Sequence, residues 1–435
     1  MKRCLIWNWL SLATLASAAG HASGADEAPT ANTNAVTLDA LVAEALERNP
    51  ELKFYQAEIA ATKAGRKTAA FWSNPEVNGS VGQKTVRDRG LSTEGVAWSV
   101  SVVQPFEWPG RLGLRKAIAN RDVELAELGF DRFKVALTTR MRLLAYGQFA
   151  AREKAGAAGE VAERFQALRE VLVQRDPAGL TPLLETRVIE ATELAMQRKA
   201  SQAVLATQAA LLELNGLRGL PPDAPLSVGA AHLAFRPTEN VGTLVALART
   251  NNFELRLRAV ELAQQGFRVG LAKNERFPAL SVGPSVSEER AGDRERIIGV
   301  GVSMPLPLWN RNKGHIEAAV ARQVQAEVSL DVTQREIQRK VVEAVVTYET
   351  KLREMAKWRP DSLQHFKEAA ELADRHYRLG AVPIATYVEL QKQYLEAVEG
   401  LLDTKKEALE AAQQLEPLTG LTLPLASTSA REEKK

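Results

Sequence analysis

The sequence predicts a mixed, mainly α-helical chain that uses one structural plan twice. Three observations carry this: proline-free helical runs too long for a globular domain, two β-hairpins, and motifs that recur about 200 residues apart. From Arg111 to Arg175 there are 65 residues without a proline, roughly 98 Å of helix at 1.5 Å per residue if it is continuous. The recurrence begins with Leu41-Val42-Ala43 and Pro50-Glu51-Leu52, which return as Leu244-Val245-Ala246 and Phe253-Glu254-Leu255. It continues through Asn74-Pro75 and Phe277-Pro278, Pro105 to Trp108 and Pro305 to Trp309, Gly179 and Gly380, and Leu214-Asn215-Gly216-Leu217 and Leu418-Thr419-Gly420-Leu421. The offset stays between 200 and 204. Each match is weak alone, but their common order argues for tandem structural repeats. The repeats occupy residues 25–218 and 239–421, joined by a Pro, Gly and Ala-rich linker at 219–238 and followed by a tail at 422–435.

Each repeat reads as helix, two strands, long helix, sharp turn, shorter helix. The first helix, Thr37 to Phe71, opens with Thr37 as N-cap and Asp39 in its first turn, and shows apolar residues at Leu38, Leu41, Val42, Ala45 and Leu46. Its counterpart runs from Val241 to Glu275. The pattern then changes to period two: Val96, Trp98, Val100 and Val102 alternate with smaller or polar residues, as Ile298, Val300, Val302 and Met304 do with Gly299, Gly301 and Ser303. Partners are supplied by Val77, Gly79, Val81 and Gln83, and by Leu280, Val282, Pro284 and Val286, with the charged segments 84–89 and 288–296 read as long polar loops. One face of each strand is apolar and the other small. That fits either a soluble sandwich or a membrane barrel, and four strands close neither a barrel nor a core.

The shorter helices, Thr37–Phe71 with Pro182–Asn215 and Val241–Glu275 with Pro383–Leu415, together nearly match the long ones, Arg111–Arg175 and Arg311–Arg378. Each repeat is therefore expected to lay one long rod beside two half-length rods, without a conventional core inside a single chain. Pro360 should interrupt the second rod near its far end, while Gly156 and Gly159 could soften the first. Phe71, Trp72, Phe106, Trp108, Phe277 and Trp309 stand where strands meet helices. They fit an interfacial aromatic girdle, the alternative being a plug at the end of a helical bundle.

Lys2 and Arg3 precede an apolar run to Ala19, and Ala16-Ser17-Ala18 offers the small residues of a cleavage site, so residues 1–24 read as a secretory signal peptide. Its removal leaves 54 basic against 53 acidic residues and no cysteine, because Cys4 is the only one. The chain carries no basic stripe suited to nucleic acid. No disulfide framework or Cys/His zinc cluster is possible, and no motif for a cofactor, metal or catalytic triad is present, so no enzyme is expected. His315, His365 and His376 are scattered, as solitary histidines and not as a metal site.

Certain motifs are more specific. Ala178-Gly179-Leu180-Thr181-Pro182 and Tyr377-Arg378-Leu379-Gly380, the latter followed by Tyr387-Val388-Glu389-Leu390-Gln391, resemble the two helical-tip motifs of the outer-membrane efflux proteins of the TolC family. Pro305-Leu306-Pro307-Leu308-Trp309-Asn310-Arg311-Asn312-Lys313-Gly314 resembles the strand-to-helix junction of the heavy-metal, CzcC-like and CusC-like branch, with Gln104 to Arg111 as its counterpart. Ala178, Ala385 and Thr386 depart from the usual pattern.

The resemblance implies a homotrimer in outer-membrane lipid: four strands per chain in a twelve-stranded β-barrel, continued by coiled helices as a periplasmic tunnel. It implies a channel of a tripartite efflux system, with a periplasmic adaptor (membrane fusion protein) and an inner-membrane RND pump as partners and heavy-metal cations as candidate cargo. Ala178, Gly179, Leu180, Leu379 and Gly380 would then be adaptor-contacting tips, and Glu389 an acid at the closed aperture. A type I secretion duct shares this fold, and a periplasmic coiled-coil scaffold would account for the helices alone.

Overall fold

The computed structural model of the chain describes residues 36–88, 91–175, 183–229, 233–359, 361–421, 423 and 425–428. The expected signal peptide, residues 1–24, lies outside the described residues. The elements follow in the order α1 (Leu38–Arg48), α2 (Glu51–Ala69), β1 (Glu76–Asp88), β2 (Leu91–Phe106), α3 (Arg111–Arg175), α4 (Leu183–Arg218), β3 (Leu233–Phe235), α5 (Val241–Asn251), α6 (Phe253–Asn274), β4 (Leu280–Ala291), β5 (Asp293–Ser303), α7 (Lys313–Met355), α8 (Ser362–Arg378), α9 (Ile384–Thr419) and β6 (Ala426–Thr428). Helix pair, hairpin, long helix and return helix thus occur in the same order in both halves.

The 65-residue α3 is unbroken, and neither Gly156 nor Gly159 interrupts it. The second rod is interrupted between Met355 and Ser362, around the position of Pro360, which itself lies outside the described residues. The helices expected over 37–71 and 241–275 are each divided. Asn49 and Asn252 leave the helical backbone with ψ of 125° and 126°, ending α1 and α5 before the chain restarts as α2 and α6. Pro50 reinforces the first break, since the residue before a proline is driven towards extended geometry.

The expected long polar loops are instead strand. In β4 and β5 the pairing continues to Ala291 opposite Asp293, so only Gly292 remains for the turn, at a φ of 93° that glycine tolerates. In β1 and β2 it continues to Asp88 opposite Leu91. Alternation of apolar residues could not reveal these extensions, because cross-strand polar pairs hold them: Lys84 reaches Glu289 at 2.8 Å and Glu295 at 3.2 Å, and Gln83 donates to Glu94 at 2.7 Å.

The helices also form more core within one chain than the sequence suggests. Tyr146, Phe165, Leu41, Met141, Ile189, Leu214, Tyr387 and Leu395 are fully buried in one elongated cluster drawn from α1, α3, α4 and α9. A second cluster gathers Leu244 of α5, Val341 and Tyr348 of α7, and Leu415 of α9. Beside it, β3 and β6 pair as a two-stranded antiparallel sheet, and the Tyr348 hydroxyl donates to the carbonyls of Arg236 (2.7 Å) and Leu425 (3.1 Å). Long rods bury side chains along their length, so the core is spread out.

Candidate functional site: sheet, junction and helical tip

The larger sheet has the order β1-β2-β4-β5, antiparallel throughout, which leaves β1 and β5 as its edges. The register sorts its residues by face. Val77 lies opposite Val102, Gly79 opposite Val100, Val100 opposite Val286, and Val286 opposite Ile298, so these positions share an apolar face with Val81, Trp98, Val282, Pro284, Val300 and Val302. Ser80, Ser99, Ser101, Gly283, Ser285, Ser287, Gly299 and Gly301 lie on the other. Pro284 sits in the inner strand β4, where it cannot donate to a neighbour. Beside it Gly283 lies hard against the Val102 backbone, where any Cβ would collide.

Below the sheet, four of the six sequence-predicted aromatics form two pairs. The Trp108 and Phe277 rings stack at 4.7 Å and 16°, joining the two halves of the chain, and Trp72 meets Phe106 edge-on at 6.1 Å. Phe71 and Trp309 complete the set, and all six are exposed, Trp309 at 94%. Arg111 fixes this junction: its guanidinium donates to the Asn274 side chain at 3.0 Å and to the carbonyls of Asn274 and Phe277 at 3.1 and 2.6 Å, while Asn274 donates back to the Pro109 carbonyl at 2.9 Å. The sequence motif contains Arg111, but nothing in its spacing identified Asn274 as the partner.

At the opposite end of the rods, α8 turns into α9. Gly380 adopts φ 71°; its N–H donates to the Tyr377 carbonyl and the Ala381 N–H to the His376 carbonyl, both at 2.9 Å. This paired closure is a Schellman cap. Pro383 then starts α9 from an extended conformation. Beneath the turn Tyr377 stacks on Tyr387 at 5.2 Å, and Tyr387 meets Phe165 of α3 edge-on at 5.3 Å. Burial pushes the Tyr387 hydroxyl well above the ordinary phenol range. Gln391, fully buried, donates to the Ala370 carbonyl at 2.8 Å and accepts from Arg164 at 3.2 Å, tying α8, α9 and α3 together.

Leu379 stands exposed at the turn and Gly380 faces open space. Glu389 is exposed on α9 and accepts from Gln393 at 2.9 Å, while Arg378 pairs with Asp374 at 3.0 Å. The first expected tip, Ala178, Gly179 and Leu180, lies outside the described residues.

Sequence reasoning missed a pair of buried asparagines at the middle of the rods. Asn49 donates to the Leu217 carbonyl at 2.8 Å and accepts from the Glu51 N–H at 2.9 Å. Asn252 donates to the carbonyls of Pro417 and Leu418 at 3.2 and 2.8 Å and accepts from the Leu255 N–H at 3.1 Å. Each caps the start of one half-length helix while satisfying the end of the other, so the two stack end to end. The equivalent positions of Asn49 and Asn252 in the repeated motif were the available signal. Among the described residues no helix is long and apolar enough to cross a membrane, and no group of three or more His, Cys, Asp or Glu side chains could hold a metal ion.

Residues 244–421 match the family model described as outer membrane efflux protein. Among curated proteins, the nickel-cobalt-cadmium resistance protein NccC of Alcaligenes xylosoxydans xylosoxydans is 24% identical over 302 residues, 68% of this chain and 66% of the relative. The cobalt-zinc-cadmium resistance protein CzcC of Cupriavidus metallidurans is 22% identical over 67% of this chain and 68% of its own length, and the pyoverdine export outer membrane protein OpmQ of Pseudomonas aeruginosa is 24% identical over 86% and 83%. The chain spans about two thirds of the length of the two metal-resistance relatives. Among solved structures, CusC superposes with a TM-score of 0.70 at 14% identity, covering 88% of this chain and 92% of that one. The Campylobacter jejuni CmeC outer membrane channel gives 0.72 at 16%, covering 88% and 85%. The family model falls on the second half of the chain, the curated relatives extend the likeness beyond it, and the fold is that of these outer-membrane channels.

Proposed function

We propose that three copies of this chain form an outer-membrane channel that gives periplasmic solutes a passive exit within a tripartite efflux system. The observation that carries this is the sheet: four strands, two unpaired edges, one apolar face and one Ser/Gly face, continuous with long helices of which α3 alone spans about 100 Å. On β2 the apolar positions from Phe106 to Val96 rise about 33 Å along the strand, or about 25 Å across a membrane at a tilt near 40°. That is the height of a bilayer's apolar band. Backbone groups at the edges must be paired in hydrocarbon, so β5 of one copy joins β1 of the next, and three copies close a twelve-stranded barrel with the Ser/Gly face towards water. The helices then extend into the periplasm, and the tips around Leu379 and Gly380 meet the adaptor of an inner-membrane pump.

Heavy-metal cations are the favoured cargo because NccC and CzcC are named for resistance to them; OpmQ, named for pyoverdine export, supports a siderophore as the second reading. Fractionation followed by chemical cross-linking tests the assembly. Recovery in the outer membrane as a cross-linked trimer is expected, whereas a monomer released with soluble periplasmic contents would indicate a scaffold. Loss of the gene should sensitise cells to divalent metals, and sensitivity only to siderophore accumulation would select the second reading.

Glu389 is assigned to the aperture: three exposed copies would form an anionic ring that favours cations. Glu389→Gln should lower cation selectivity in single-channel recordings, and unchanged selectivity and conductance would remove this assignment.

A further inference from the structure

The outward rim of the apolar face carries a charged cluster that the channel reading leaves unused. Two rows beyond Val286 and Ile298, the register places Val81, Trp98, Glu288 and Arg296 side by side; beyond them Gln83 pairs with Val96 and Arg290 with Arg294. Glu288 is only 3% exposed, and three guanidiniums converge on it: Arg294 at 2.6 Å, Arg290 at 2.9 Å and Arg296 at 3.7 Å. The arginines themselves stay 57–62% exposed. One carboxylate cannot neutralise three cations or occupy most of their N–H donors, so the cluster retains positive charge and unfilled hydrogen-bonding capacity. The opposite face at this height has the reverse balance, with Lys84 held between Glu289 and Glu295. With Arg87 and Glu94, which the register also puts on the valine face, that face carries four arginines against two carboxylates and is net cationic.

We propose that Arg290, Arg294 and Arg296 bind the phosphate headgroup of an anionic lipid in the outer leaflet, with Glu288 positioning the guanidiniums. The assignment rests on the reading that the sheet spans the outer membrane with its apolar face to lipid. Guanidinium forks match phosphate oxygens bidentately and are weakly hydrated, which suits them to a membrane interface better than lysine. Level with Arg296 and below Arg290 and Arg294, Trp98 and Val81 offer an amphipathic ring and an aliphatic surface to the upper acyl chains.

The test uses the full chain purified as an assembled oligomer in detergent, and measures binding of bis-phosphorylated lipid A, enzymatically dephosphorylated lipid A and inorganic phosphate. Wild-type protein should prefer the phosphorylated glycolipid, and the triple variant Arg290→Gln/Arg294→Gln/Arg296→Gln should bind it at least about tenfold more weakly, equivalent to about 1.4 kcal/mol. Lys84→Gln, on the opposite face, should bind as wild type. Equal affinity of triple variant and wild type, indifference of the wild type to dephosphorylation, or inorganic phosphate displacing the lipid at comparable affinity would each overturn the proposal. The membrane reading fails separately, when the wild-type chain is not recovered from the outer membrane. Retained oligomer in the triple variant shows that weaker binding does not come from misfolding.

Discussion

Asn252 connects three backbone groups from two helices through one buried amide. Replacing it by Ala removes the cap of α6 and leaves the Pro417 and Leu418 carbonyls without partners, a loss of about 2 kcal/mol. Asn252→Ala should therefore lower the urea midpoint clearly, and Asn49→Ala similarly, whereas the surface change Gln364→Ala should leave it nearly unmoved; equal shifts would contradict the capping role. Glu416 offers a test by pH. It is buried beside Arg142, 3.2 Å away, yet burial outweighs that attraction and holds its carboxyl above the ordinary value of 4.5. Between 4.5 and the raised native value the unfolded chain has released a proton that the folded chain keeps, so stability falls as pH rises through that window. Thermal midpoints of the wild type should decline there, and those of Glu416→Gln should decline less. Parallel profiles would show that Glu416 is not the titrating group.

At the scale of elements, glycine marks two helix ends for different reasons. Gly380 needs only its left-handed φ of 71°, since a Cβ there meets nothing within 4 Å. Gly420, at φ 68°, also lies against the Asn251 carbonyl and backbone, leaving no room for a Cβ. Gly380→Ala should cost about 1 kcal/mol from backbone strain. Gly420→Ala should cost more and reduce the yield of folded protein, and equal thermal shifts would refute this ranking. The length of α3, the interruption near Pro360 and the turn at Gly380 were legible because proline, glycine and uninterrupted helical composition act locally. The breaks at Asn49 and Asn252 were not, because each asparagine is stabilised by carbonyls more than 160 residues away. The outer halves of the strands were missed for a related reason: pairs such as Lys84 with Glu289 replace the apolar alternation on which sequence reading depends. The aromatics of the junction could be located from sequence, while the Arg111–Asn274 link that joins the two halves required the fold.

In the proposed assembly, further copies complete surfaces that one chain leaves open. Besides the free edges of β1 and β5, α7 exposes Val320, Val324, Val328 and Val332, one every four residues and 41–57% accessible. This spacing lays them along one side of the helix as an apolar row. Each valine that a neighbouring copy covers would contribute up to about 1.5 kcal/mol, and the proposed threefold symmetry would repeat the row at every interface. A charge in the row would have to be desolvated without a partner at each interface, while in a lone chain it would remain in water. The double variant Val324→Asp/Val328→Asp should consequently keep its helical circular dichroism yet elute as a monomer in detergent, whereas the wild type should elute as a trimer. A trimer of unchanged stability would exclude this face of α7 from the assembly, and loss of helical signal would mean that the valines serve the protomer itself.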